Sequence, residues 1–139
     1  GCARTAPPAQ RSLPPAPPPV SVPPAAEEAI PFLIAAERAA AGAGDQATLA
    51  QLWAEDAQIT DGRGTAHPDD DSVWPGRAAI LDRYVLAVFP SPPPALDGLG
   101  GLTVTVGDDE AWAAHEGDQW RFVFRDGRWW ISELVYSQP

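Results

Sequence analysis

The stretch QWRFVFRDGRWWISELVY, residues 119–136, decides how this chain folds. Two runs of alternating side chains flank Asp126-Gly127, a pair suited to the left-handed backbone of a tight turn, so the stretch reads as an antiparallel hairpin. Trp120, Phe122 and Phe124 share one face of its first strand, and Arg121, Val123 and Arg125 share the other. The second strand depends on the turn, because one residue of loop length moves every side chain to the opposite face. A three-residue loop with Gly127 left-handed sets Trp130, Ser132, Leu134 and Tyr136 beside Trp120 and Phe122. A two-residue loop sets Trp129, Ile131 and Glu133 there.

Upstream, Leu102–Val106 and Ala111–Glu116 alternate in the same way around the turn residues Gly107-Asp108-Asp109. Further back the period becomes helical. Glu27, Glu28, Ile30, Phe32, Leu33, Ile34, Glu37 and Arg38 have helical spacing, with acids in the first turn where the helix dipole favours them. Gly42 and Gly44 end that helix and Asp45 caps a second, whose stripe is Leu49, Leu52 and Trp53. A strand is expected at Ala57–Thr60. The Gly-, Pro- and Asp-rich residues 61–75 read as a long exposed loop. Gly76 then opens a third helix with Ile80, Leu81, Tyr84, Val85, Val88 and Phe89 on one face, stopped by Pro90.

The ends and the composition add further limits. Residues 1–24 hold nine Pro and few large apolar side chains, so they cannot form a core. They read as an extended tether, residues 1–25, with a polyproline II reach on the order of 70 Å. Gly1-Cys2 resembles the end of a bacterial lipobox, which would make Cys2 a lipidation site and the protein an exported, envelope-tethered one whose only membrane contact is that lipid. No apolar run approaches the roughly 18 residues of a membrane span. The formal charge of −10, with nine Arg and no Lys, argues against nucleic acid as a partner, because phosphate tracking needs clustered cations.

The segments Ala43-Gly44-Asp45, Leu52-Trp53-Ala54-Glu55-Asp56-Ala57, Pro75-Gly76-Arg77-Ala78-Ala79-Ile80 and Phe124-Arg125-Asp126-Gly127-Arg128-Trp129, in that order, resemble the nuclear-transport-factor-2-like superfamily and, within it, the ketosteroid-isomerase and SnoaL-like branch. The resemblance covers roughly residues 26–137. It implies an α+β, cystatin-like domain over residues 26–139, in which three N-terminal helices pack on a strongly bent, mainly antiparallel sheet to form a cone with a pocket. It also implies a homodimer through the outer sheet face. It favours the three-residue turn, which would leave Trp129 and Ile131 on that outer face.

The resemblance places Asp61 where the isomerases hold their general base, although an Asp before Gly at a strand end is also a plain turn former. The oxyanion-binding positions fall at Glu37 and Trp120. An ionised Glu37 would repel an enolate and Trp120 has one N–H, so isomerase chemistry is not assembled. His67 and His115 could act as acid and base, but they match no aligned position. The pocket set is then Glu37, Trp53, Asp61, Tyr84, Trp120, Phe122, Trp130, Ser132 and Tyr136, with no metal or cofactor expected. The leading expectation is a binding or interaction domain for a small apolar or aromatic molecule. The alternative is an isomerase, lyase or hydrolase of a small cyclic substrate with Asp61 as base.

Overall fold

The computed structural model describes residues 19–61 and 72–136. Helix α1 spans Ala26–Ala43 and α2 spans Gln46–Leu52, followed by strand β1, Trp53–Asp61. Strand β2, Ser72–Pro75, precedes helix α3, Arg77–Arg83, which continues without a break into a π-helical turn, Tyr84–Val88. Strands β3, Thr103–Val106, β4, Glu110–His115, β5, Asp118–Arg125, and β6, Arg128–Val135, complete the chain. The six strands form one sheet in the order β2-β1-β6-β5-β4-β3, antiparallel except for the β1–β6 pair. This is the expected α+β architecture of helices packed on a mainly antiparallel sheet.

The helix ends follow the local chemistry. Gly44 takes the left-handed conformation at φ +66°, and its N–H reaches the carbonyls of Ala40 and Ala41. Asp45 then caps α2, its carboxylate accepting from the Thr48 N–H at 3.1 Å. The buried residues of α1 include Ile30, Leu33, Ile34, Glu37, Ala40 and Ala41. That spacing aims one stripe of the helix at the sheet and carries Glu37 in with it. Each buried Ile or Leu side chain of the stripe contributes about 1.5–3 kcal/mol.

Three features depart from the sequence reading. Residues 72–75 are not loop but an edge strand paired with β1, and Pro75 sits at its end, where it removes no ladder bond from a central strand. The third helix widens at Tyr84, where the Phe89 N–H reaches back five residues to the Tyr84 carbonyl at 2.8 Å. The widened turn rotates Val85, 46 % exposed, away from the face it was expected to share with Ile80.

The third departure concerns the hairpin. Asp126 and Gly127 have φ of +54° and +80°, and Arg125 pairs with Arg128, so the loop has two residues. Phe122 therefore opposes Ile131 and Phe124 opposes Trp129. Trp129 and Ile131 are buried rather than on the outer face. The register then shifts: Arg121 pairs with Glu133 and Trp120 with Leu134, which leaves Ser132 as an extra residue in β6. The bulge restores the other alternative further on, setting Leu134 opposite Trp120. Each turn length thus holds for one half of the strand. The β1–β6 ladder is irregular at the same level, between Trp53 and Gln58, so both ladders of β6 are interrupted there.

Candidate functional site

The π-helical turn and α1 form one side of a cavity of about 400 Å³, and the ends of β1, β5 and β6 form the other. Its floor is a hydrogen-bonded chain. The buried Trp53 indole N–H donates to the Tyr84 hydroxyl at 3.3 Å, and that hydroxyl donates to Glu37 Oε2 at 3.0 Å. Burial pushes the Glu37 carboxyl above the ordinary carboxylate range, against smaller opposing effects of the Tyr84 hydrogen bond and of Arg38 and Arg83. Burial likewise lifts the Tyr84 hydroxyl well above its usual value, and the neighbouring Glu37 adds to the effect. Both groups therefore favour their neutral forms.

The walls are apolar and aromatic. Trp120 is held between Trp53 and Phe122, at centroid distances of 6.5 and 6.2 Å. Leu134, Val88 and Pro93 add aliphatic surface. The proline-rich residues 90–94 that follow the π-helical turn are fastened to α1 by Arg38, whose Nη1 donates to the Pro94 carbonyl at 2.8 Å. Tyr136, anchored by its N–H to the Thr60 carbonyl at 3.0 Å, closes the far side, and Asp61 and Asp118 also line the cavity. The guanidinium of Arg83 lies 4.9 Å over the Tyr136 ring.

Of the residues read from the sequence as a pocket, Glu37, Asp61, Tyr84, Trp120 and Tyr136 line this cavity. Trp53 and Phe122 lie beneath it as fully buried supports. Trp130 does not join them. It opposes Val123 on the other face, its indole N–H donates to the Arg125 carbonyl at 3.0 Å, and the Arg128 guanidinium stacks on its ring at 3.8 Å. Ser132 is buried at the bulge, apart from the lining. His115 is buried on the strand that carries Ala111 and Ala113, and its Nε2 has no hydrogen-bond partner. His67 and Cys2 lie outside the described residues. No group of three or more potential metal-binding side chains occurs among the described residues.

Sequence reasoning missed Arg83. A lone Arg on a short helix reads as a solvated cation, yet Ile80, Arg83 and Tyr84 share the i, i+3, i+4 spacing of one helix face, and all three are buried. Glu37 carried the same signal within the apolar stripe of α1.

No protein-family model and no curated protein sequence matches the chain. Solved structures do. An NTF2-like protein of unknown function from Pseudomonas putida KT2440 superposes with a TM-score of 0.63 at 18 % identity, over 86 % of this chain and 90 % of that one. An NTF2-like protein with a cystatin-like fold from Novosphingobium aromaticivorans gives 0.60 at 22 % identity, over 81 % and 80 %. A hexachlorocyclohexane dehydrochlorinase, LinA type 2, gives 0.56 at 15 % identity, over 78 % and 82 %. The chain thus has the nuclear-transport-factor-2-like, cystatin-like fold.

Proposed function

We propose that this is a small-molecule-binding domain whose ligand occupies the cavity above Glu37, Tyr84 and Trp53. The observation that carries the reading is the contrast within that cavity. A short polar chain sits at the floor, while Trp120, Leu134, Val88 and Pro93 supply apolar wall. Such a combination, in which apolar surface gives affinity and a few fixed polar groups give orientation, characterises sites for small organic ligands. The Pro-rich residues 1–25 and Gly1-Cys2 support an exported domain held away from the envelope by a tether. Exposed Trp112 beside Arg121 on the outer sheet face supports a homodimer there.

Titrating the tryptophan fluorescence with a panel of small aromatic and alicyclic compounds tests the reading, because Trp120 lines the cavity. A saturable change is expected for at least one of them. A flat response to all would overturn it.

Asp61, at the end of β1 and on the cavity lining, keeps a second reading open to experiment: a base acting on a small cyclic substrate. The fold likeness to the dehydrochlorinase is compatible with such chemistry. The two readings separate at Asp61→Asn, which leaves binding within about three-fold if the domain only binds and abolishes turnover if Asp61 is the base.

A further inference from the structure

We propose that the cavity selects small apolar organic acids, whose carboxylate is received by Arg83. The inference rests on the cavity being a ligand site and specifies the chemistry of what enters it.

Arg83 is 9 % exposed, and its Nη1 is buried without a hydrogen-bond partner. A guanidinium taken out of water is costly unless an anion or several acceptors replace its hydration. The described residues provide no ion pair for it, since their two salt bridges join Arg121 to Glu110 and Arg125 to Asp56. Among the acids that line the same cavity, Glu37 gives its Oε2 to the Tyr84 hydroxyl, and Asp61 and Asp118 have interactions of their own. Arg83 is nevertheless held in place, with its guanidinium over the Tyr136 ring. The result is a fixed, largely buried cation that lines a cavity and has one donor unfilled.

A guanidinium presents its N–H groups as a planar fork, which matches a carboxylate better than it matches a single alcohol or amide oxygen. Part of the lining is suited to a hydrocarbon body, with the Trp120 ring, Leu134 and Val88 available to it. The volume of about 400 Å³ falls near the lower end of the range of about 300–1,000 Å³ for small-molecule sites. It suits an acid with one or two rings. Burial raises the Glu37 carboxyl and so lessens its repulsion of such an anion, while Asp61 and Asp118 on the same lining oppose it.

The test compares acids with their uncharged counterparts on the full chain. Benzoate, cyclohexanecarboxylate and 2-naphthoate are titrated by calorimetry beside their primary amides and beside phenyl phosphate. At least one carboxylate is expected to saturate, with its amide weaker by roughly ten-fold or more, the worth of a charge-assisted hydrogen bond. Arg83→Gln should remove that preference and Arg83→Lys should keep part of it. The comparison on the parent chain needs no variant, so it stands even if Arg83→Gln does not fold. Amides that bind as tightly as the acids would overturn the proposal while leaving the ligand site intact. So would a preference for phenyl phosphate over every carboxylate. Failure of acids and amides alike would remove both the proposal and the binding reading beneath it.

Discussion

Tyr84 donates its hydroxyl hydrogen to Glu37 Oε2 at 3.0 Å while accepting from the Trp53 indole at 3.3 Å, so three buried side chains from α1, β1 and the π-helical turn form one chain. This chain fixes the cavity floor and leaves Glu37 in a setting that favours its neutral form.

Replacing Glu37 tests that setting. Its carboxyl is raised above 4.5 in the folded state, chiefly by burial. The stability tied to its proton is therefore fully present below about pH 4.5 and is lost as pH rises through the folded value. Glu37→Gln keeps an acceptor for Tyr84 and does not titrate. The variant is expected to unfold at higher urea than the parent at pH 8, with the gap closing below pH 4.5.

Tyr84→Phe removes the middle of the chain and leaves both the Trp53 N–H and Glu37 Oε2 without a partner. A loss of about 1–3 kcal/mol is expected in urea unfolding, as for buried groups left unsatisfied. In the Glu37→Gln background the cost should differ, because residues in one hydrogen-bond network couple.

The bulge at Ser132 makes a separate prediction. Ile131 is fully buried opposite Phe122, so Ile131→Ala should cost about 2–5 kcal/mol. Trp112→Ala, at a side chain 44 % exposed, should cost much less in the monomer. Equal, small effects would mean that the strand keeps a single register with Ile131 outward.

Asp45→Ala should destabilise by about 1 kcal/mol through loss of the α2 cap. The Thr48 hydrogen bonds hold the Asp45 carboxyl below 3.8. Its contribution is thus present above that value and is lost as pH falls through the folded pKa. Parent and variant should converge in acid.

The parts of this fold legible in the sequence are those set by local chemistry. Asp126-Gly127 announces a turn, Gly44 and Asp45 announce a helix end and a helix start, and alternation marks β4, β5 and β6. What was not legible depends on contacts between distant segments. The extra residue at Ser132 belongs to the level where β6 pairs with the irregular part of β1, and nothing within 128–136 signals it. The edge strand β2 hides because Val73 and Trp74 stand between acids and a proline, and only pairing with β1 orders them. In the site, Glu37, Asp61 and Tyr84 were found through resemblance and periodicity, while Trp130 was misplaced by the turn length. Arg83 was missed because composition treats a cation as solvated, although its helical position next to Ile80 and Tyr84 placed it inside.

The most direct measurement of the central claim is chemical-shift mapping of the ¹⁵N-labelled full chain during titration with a small aromatic compound. Binding in the cavity predicts saturable shifts at the Glu37, Arg83 and Tyr84 amides and at the Trp120 indole, with the Trp112 indole unmoved. Saturable shifts confined to the outer sheet around Trp112, or none across the panel, would contradict it.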